Sequence, residues 1–294
     1  MADRELSRRE ILQLAAASGL GALMAGRADA KAPDAIGVQL YTVRNQIDKD
    51  AAATLKGIAD IGYKEVEVIR TTLDKVGPLA KQDGLAPVSI HADIPLIMTG
   101  TLPNGYDLAA CIRDAQAVGA KFLVMPYVMP NDRPKDAAGF EAFGKTFNKA
   151  GEQIKKAGLQ LCYHNHAFEF ATLPDGRRAL DVMLAAADPS LVKLELDVFW
   201  VSVAGADPVS LINQYAGRIA LMHLKDKMKG APQSFSEGVP PQTFVEVGSG
   251  ALDFPAILKA AAAAKVEHYF VEQDQSPDPL VSLKKSYDYL RSLT

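Results

Sequence analysis

The 294-residue sequence contains only two cysteines, Cys111 and Cys162, and both lie in apolar segments. Buried free thiols are therefore expected rather than a disulfide. The sequence has neither a GxGxxG turn nor a P-loop, the usual signatures of dinucleotide and nucleoside triphosphate sites. Acidic and basic residues also nearly balance, because the formal net charge is only −3. A nucleic-acid partner or an anionic membrane surface is therefore not expected.

The first 30 residues differ from the rest of the chain. Arg8 and Arg9 precede an alanine- and leucine-rich run to Met24, and residues 28–30 supply an A-x-A cleavage pattern. This order predicts a cleavable twin-arginine export signal and a periplasmic protein, with an amphipathic leader or a single anchor helix as the alternatives. The apolar run is shorter than the roughly 20 residues of a membrane span. No later stretch is long and apolar enough either, so no stable span is expected after processing.

Residues 31–294 alternate strand-like and helix-like segments. The predicted strands are 36–43, 64–69, 86–91, 121–127, 160–165, 191–197, 218–223 and 268–272. The predicted helices are 51–60, 73–82, 107–117, 137–156, 179–186, 208–214, 254–264 and 279–292. Eight of each in strict order predict one (β/α)8 TIM barrel, with an open doubly wound sheet as the main rival.

Polar residues stand at the ends of the last four predicted strands: His164, Asp197, His223 and Glu272. The C-terminal ends of parallel barrel strands meet at one mouth, where such enzymes keep their chemistry. A mixed imidazole and carboxylate shell suits Mn²⁺, Zn²⁺, Co²⁺ or Mg²⁺. The sequence therefore predicts a metal site of Asp197, His223 and Glu272. His164 either completes that site or acts as a base; polar residues that simply bond loop backbone are the alternative.

Charged residues also fall on the inward face of two predicted strands. Because side chains alternate faces, Glu65 shares a face with Glu67, and Glu195 shares one with Asp197. A carboxylate inside a barrel is unfavourable unless it is paired or bound to a metal. The pattern therefore predicts a polar interior that holds a ligand.

Several further residues are candidates for contact with the substrate. His166 is a base or a substrate contact, unless it forms a hydrogen-bonded rim pair with His164. Glu67 and His91 are placed at the ends of strands two and three, where each could bind a polyhydroxylated substrate or be a satisfied rim residue. Trp200 is a wall for a sugar face or a core residue.

Two charged residues and one long loop complete the predicted mouth. Lys225 either stabilises an oxyanion or belongs to a surface ion pair. Glu169 is an acid, base or substrate contact, with a solvated loop carboxylate as the alternative. The connection 225–247 is rich in Pro, Gly, Ser and Gln, and its length favours a lid over the site, or else a disordered insertion.

From about residue 35 to residue 293 the chain resembles the xylose isomerase-like TIM barrels grouped as sugar phosphate isomerases/epimerases. The matching segments are IGVQLYTVR, GYKEVEV, CYHNHAFEF, LELDVFW, IALMHLKD, VGSGALDF and YFVEQD. The resemblance implies a metal held by Glu, Asp, His and Glu from strands five to eight. Asp197, His223 and Glu272 match the last three, whereas His164 replaces the first glutamate. Two further departures are Trp200 in place of a histidine and Ser249 in place of a glutamate.

The same resemblance implies a carbohydrate substrate and a metal-dependent isomerase or epimerase. A base, Glu272, His164 or His166, would remove the proton next to a carbonyl and leave a metal-stabilised enediolate. The missing glutamate makes a two-base epimerisation doubtful, so a lyase or hydratase acting on 3-keto-glycosides is the alternative. A non-catalytic sugar-binding barrel is a third interpretation. The oligomeric state stays open, with a homo-oligomer among the options.

Overall fold

The computed structural model describes residues 31–293. The predicted export signal at residues 1–30 lies outside these residues. Cys111 and Cys162 are buried free thiols, as predicted. Within residues 31–293, no helix combines the length and the apolar character that crossing a bilayer requires.

Eight parallel strands close into a barrel in the order β1-β10-β7-β6-β5-β4-β3-β2, which confirms the predicted (β/α)8 TIM barrel. These strands are β1 (Gly37–Gln39), β2 (Glu65–Ile69), β3 (Ala86–His91), β4 (Phe122–Met125), β5 (Gln160–His164), β6 (Val192–Asp197), β7 (Ile219–Leu224) and β10 (His268–Val271). Two short strands, β8 (Asp226–Lys227) and β9 (Phe244–Val245), pair antiparallel outside the barrel.

Helices lie between the strands. They are α1 (Arg44–Ile61), α2 (Leu73–Gln82), α3 (Ile94–Met98), α4 (Leu108–Val118), α5 (Ala137–Lys156), α6 (Ala179–Ala186), α7 (Val198–Val203), α8 (Pro208–Gln214), α9 (Phe254–Ala263) and α10 (Pro279–Ser292). Six of them begin after an aspartate whose side chain accepts a backbone N–H, namely Asp107, Asp136, Asp197, Asp207, Asp253 and Asp278. Such caps satisfy donors that the first turn leaves free.

Two short helices, α3 and α7, are absent from the sequence-based prediction. α7 follows β6 directly and has six residues, whereas α3 is separated from the end of β3 by two residues and has five. A helix this short shows too little periodicity to be distinguished from a loop. Helix α7 matters most, because it begins at the candidate ligand Asp197.

The barrel interior has an apolar part and a polar part. One apolar cluster is separate from the main hydrophobic core and consists of Val88, Phe122, Val124, Cys162, Ala220, Leu221 and Phe270. Gly37 leaves room for the Phe270 ring, which a Cβ at residue 37 would strike. Towards the C-terminal ends of the strands the buried side chains become polar: Gln39, Glu67, Ser89, His164, Glu195 and His223. Strand parity had placed Glu67 and Glu195 on this inward face.

The long connection after β7 lies over the mouth of the barrel. Strands β8 and β9 join its two ends, and its middle is attached to α7, where Ser234 N donates to Val203 O at 2.9 Å. Val239, Pro241 and Phe244 from this connection line the cavity below it. The connection therefore forms part of the wall of the candidate site, as the lid interpretation requires.

Candidate metal centre and active site

A cavity of about 520 Å³ opens at the C-terminal mouth of the barrel. Its wall is formed by residues at or beyond the ends of the barrel strands, together with the connection after β7. Six residues singled out from the sequence line it: His91, His164, His166, Trp200, Lys225 and Glu272. Glu67 and Glu169, also predicted as substrate contacts, do not.

The three predicted metal ligands converge at the base of this cavity. Their ligand atoms all lie within 4.8 Å of one another, and all three residues are buried. His223 Nδ1 lies 2.8 Å from Glu272 Oε2 and 3.8 Å from Asp197 Oδ2. Three neighbouring strand ends, those of β6, β7 and β10, supply them, because these strands are adjacent in the barrel. The structure therefore places Asp197, His223 and Glu272 within common reach of one cation.

His164 approaches the same centre from β5. Its Nε2 lies 3.8 Å from Asp197 Oδ2, and its Nδ1 lies 3.1 Å from Glu195 Oε2. A carboxylate can only accept, so Nδ1 carries the proton and Nε2 is left with its lone pair facing the centre. Burial and the nearby His223 hold the pKa of His164 well below its usual value. A neutral imidazole with a free Nε2 is the form that a metal ligand requires.

The chemistry of these donors fits a divalent cation. Asp197 Oδ1 accepts from the N–H groups of Phe199 and Trp200, where it caps α7. Asp197 Oδ2 is buried and accepts no hydrogen bond of good geometry from the residues described. Its charged neighbour is Lys225 Nζ at 3.0 Å, and the two imidazoles and second carboxylate beside it complete a donor set that suits a divalent cation.

Lys225 lies within this group of carboxylates. Its Nζ is 3.0 Å from Asp197 Oδ2, 2.6 Å from Glu272 Oε2 and 3.0 Å from Asp274 Oδ1. Burial opposes the charged form, but the surrounding carboxylates outweigh it, and the pKa of Lys225 lies well above its usual value. The alternative of a surface ion pair is wrong, because the Lys225 side chain is only 3% exposed.

Two carboxylates inside the barrel support the imidazoles from below. His223 Nε2 lies 2.7 Å from Glu67 Oε1, and Glu67 also accepts from Gln39 and Ser89. Glu67 and Glu272 can both only accept, so His223 donates through Nε2 and through Nδ1, and a metal bound at Nδ1 would replace the proton there. A carboxylate that fixes the tautomer of a ligating histidine in this way strengthens metal binding. Glu67 therefore lies beneath the ligands, not on the cavity wall where a substrate contact was predicted.

Glu195 likewise accepts hydrogen bonds from His164 and His91. His91 Nε2 lies 3.0 Å from Glu195 Oε2 and 2.8 Å from Glu67 Oε1. Burial lowers the pKa of His91, but these two carboxylates outweigh it and raise the value to about 9. Burial and the adjacent Glu67 raise the pKa of Glu195. Sequence reasoning placed Glu195 on the inward face but missed its role, because strand parity does not show which histidines face it.

Glu67→Gln is expected to weaken binding of Mn²⁺ or Zn²⁺ about 10- to 100-fold, since the amide cannot fix the His223 tautomer as a carboxylate does. Calorimetric titration of chelator-treated protein would measure this. The matched control is Glu65→Gln, because Glu65 is two residues earlier on β2 and pairs with His268 instead. Equal affinities in the two variants would contradict the role given to Glu67.

His166 lies on the cavity wall beside the candidate ligands. Its ring centroid is 4.9 Å from that of His164, 4.8 Å from Tyr127 and 5.3 Å from Trp200. Its Nδ1 is buried and has no hydrogen-bond partner among the described residues. Burial and the charge of Lys225 hold the pKa of His166 well below its usual value. The side chain is thus a neutral imidazole at neutral pH, held by packing and not by hydrogen bonds.

Glu169 is a buried support for His166 and not a solvated loop carboxylate. It accepts from the Tyr163 hydroxyl at 2.6 Å and from the His166 backbone N–H at 3.1 and 3.0 Å. It is fully buried, so the predicted substrate contact is not made. The turn that follows β5 folds the carboxylate back under His166, which its position in a polar loop does not reveal.

Burial raises the pKa of Glu169 to about 7 from 4.5. A carboxyl group with a raised folded-state pKa loses stability as pH rises from the unfolded value through the folded one. The wild type should lose this stability as the pH rises, whereas Glu169→Gln has no carboxyl group to ionise. The free energy of unfolding of the variant minus that of the wild type should therefore increase by up to about 3 kcal/mol between pH 4.5 and 8. Chemical denaturation at several pH values tests this. A difference that is constant over that range would contradict it.

Comparison with known proteins agrees with this architecture. An inosose dehydratase of Clostridium beijerinckii is 30% identical over 158 residues, which is 50% of this chain and 52% of that protein. The chain therefore matches about half the length of this curated relative. A sugar phosphate isomerase/epimerase structure from Parabacteroides distasonis is 26% identical, with a TM-score of 0.70, and the match covers 87% of this chain and 97% of that one.

A more distant structure, that of an IolI protein with a bound zinc atom, is 14% identical with a TM-score of 0.64 and shares the fold. The match covers 88% of this chain and 98% of that one. The model of one family, described as xylose isomerase-like TIM barrel, matches residues 55–293, which include all four candidate metal ligands. The chain therefore belongs to the xylose isomerase-like TIM barrel family.

Proposed function

We propose that the protein is a divalent-metal-dependent lyase that acts on a keto sugar or keto-cyclitol. It would remove the proton next to a carbonyl and expel an oxygen substituent from the following carbon. The electrons of the C–H bond form the new C=C bond, and the electrons of the C–O bond leave with the oxygen. No oxidant or reductant is needed for this elimination.

The observation that carries this proposal is the composition of the centre. His164 ends β5, where the family resemblance implies a glutamate, so the second of two opposed carboxylate bases is missing. One base and one metal suffice for an elimination, whereas inversion at a carbon needs proton delivery from the opposite face. The similarity to inosose dehydratases supports the same class of reaction.

Four residues would hold the metal: His164, Asp197, His223 and Glu272. A bound Mn²⁺, Zn²⁺, Co²⁺ or Mg²⁺ would supply Lewis-acid polarisation of the substrate carbonyl, which makes the neighbouring proton more acidic. The buried carboxylates Glu67 and Glu195 would keep His223 and His164 in the ligating tautomers.

The proton transfers fall to two residues on the cavity wall. His166 is neutral, lines the cavity and lies beside His164, so it would take the proton from carbon. Glu272 is less available as a base, because its Oε2 already accepts from His223 Nδ1 at 2.8 Å and faces Lys225 Nζ at 2.6 Å. Lys225 would donate to the departing oxygen.

Proton NMR in D₂O tests the proposal directly. Chelator-treated protein, reloaded with Mn²⁺ or Zn²⁺, is mixed with a keto-inositol or a 3-keto-glucoside. A lyase gives loss of the α-proton together with an unsaturated carbonyl product that absorbs in the ultraviolet. Exchange of the α-proton without unsaturation would overturn the elimination, and the absence of any exchange would indicate a non-catalytic sugar-binding barrel.

A sugar isomerase or epimerase is the second candidate. Almost the whole length of the Parabacteroides distasonis isomerase/epimerase structure matches this chain, which supports an isomerase or epimerase. The first step would be the same proton removal, followed by return of the proton to a neighbouring carbon or to the opposite face. Deuterium at a single carbon of a saturated product would identify this reaction in the same experiment.

A further inference from the structure

We propose that the cavity has a second, apolar compartment that binds an aromatic group attached to the sugar, so that the substrate is an aryl glycoside. The proposal rests on the proposed function in one respect, namely that the sugar ring lies at the metal centre. It adds the chemical class of the rest of the substrate.

The size of the cavity leaves room for two parts. Its volume of about 520 Å³ falls within the range of ~300–1,000 Å³ typical of pockets for drug-sized ligands. The groups suited to a sugar ring or its carbonyl lie around the metal centre: His164, Lys225, Glu272 and Asp274. The remaining wall is mixed: it includes Arg70, His91, Asp93 and Glu237, and an uncharged stretch of Trp200, Val239, Pro241 and Phe244.

The apolar wall begins with Trp200, which lies beside His166 and 5.8 Å from Lys225 Nζ. The Trp200 ring lies 5.3 Å from the His166 ring, at an interplanar angle of 32°. The Phe244 ring lies 6.0 Å from the Trp200 ring. Val239 and Pro241, from the same connection as Phe244, line the cavity with them. A group attached to a sugar whose reacting carbon is near His166 would therefore meet Trp200 first.

This wall is fixed in place before any ligand binds. Arg133 Nη2 pairs with Glu237 Oε2 at 3.0 Å, and its Nε donates to Val128 O at 3.0 Å. Its guanidinium also lies 3.9 Å from the centroid of the Phe168 ring. Ser234 N adds its bond to the main chain of α7. A preformed wall avoids the loss of entropy that ordering a loop would bring.

The chemistry of the wall favours an aromatic ring over a second sugar. Val239, Pro241 and Phe244 have no side-chain hydrogen-bonding groups, so sugar hydroxyls buried against them would lose their water partners. A flat apolar ring has no hydrogen bonds to water to lose, and it can stack on aromatic faces. The observations therefore favour an aryl group as the occupant.

Binding of unreactive glucosides tests the compartment without any reaction. Methyl and phenyl glucosides of both anomers carry no carbonyl, and calorimetry with the metal-loaded protein gives their affinities. One phenyl anomer should bind at least about tenfold more tightly than its methyl counterpart. Trp200 is the only tryptophan in the chain, so its fluorescence should change with the phenyl compound.

Val239→Asn places an amide in the wall and should reduce the phenyl preference to within about threefold. Phe235→Ser is the matched control, because Phe235 lies on the same connection, is 44% exposed and should leave the preference unchanged. Equal methyl and phenyl affinities, no binding of either, or a preference that survives Val239→Asn would overturn the proposal. Since neither glucoside can undergo the elimination, failure of the lyase reaction would leave this result intact.

Discussion

Asp197→Ala is expected to remove high-affinity metal binding and to lower turnover by at least about 10³-fold. Asp197 Oδ2 is buried, lies 3.0 Å from Lys225 Nζ and accepts no hydrogen bond of good geometry from the described residues, so its partner is a positive charge, either this ammonium group or a bound metal ion. Losing several kcal/mol of Lewis-acid stabilisation corresponds to this change in rate. Metal analysis and steady-state kinetics on the purified variant would measure both effects.

Asp197 also caps α7, so the alanine variant needs two controls. Asp197→Asn keeps an oxygen for the N–H groups of Phe199 and Trp200 but loses the charge, and it should show the same loss of metal. Asp207→Ala removes the cap of α8 on the exposed surface, at a cost of about 1 kcal/mol in stability, and should bind metal normally. Wild-type metal content in Asp197→Asn would refute the centre.

His166→Ala should lower kcat about 10²- to 10⁴-fold, the usual contribution of a positioned base. Metal affinity should stay close to the wild-type value, because His166 contacts His164 only through the ring edge. The fold should also be retained, since His166 Nδ1 makes no hydrogen bond with the described residues. The two variants therefore separate loss of the metal from loss of the base.

The comparison is His268→Ala, which removes an imidazole from the opposite end of the barrel. His268 pairs with Glu65 at the start of β10, so kcat should remain within about twofold of the wild type. A kcat for His166→Ala within tenfold of the wild type would show that another residue, such as Glu272, takes the proton.

The barrel could be predicted from the sequence because its strands are short apolar runs separated by long amphipathic helices. Helices α2, α5, α6, α8 and α10 begin and end at the predicted residues. Asp197, His223 and Glu272 could be grouped for a topological reason. The ends of neighbouring parallel strands must meet, whatever the sequence between them.

The depth of a side chain in the barrel could not be predicted in the same way. Parity shows that Glu67 and Glu195 point inwards, but the register between strands decides which histidines they meet. β2 continues two residues beyond Glu67, as the predicted strand 64–69 also does, so Glu67 lies below the rim and its placement at the strand end was wrong. The ion pairs of Lys225 could not be predicted for a similar reason. The carboxylates that surround it come from β6 and from the segment after β10, far away in the sequence.

The ammonium group of Lys225 matters for the protein before any metal ion binds. It bridges two acidic side chains that would otherwise repel each other in a dry interior. The barrel thus carries its own counter-charge among these carboxylates. A metal ion held by Asp197 and Glu272 would have to displace this ammonium group, so Lys225 would compete with the ion for the same oxygens.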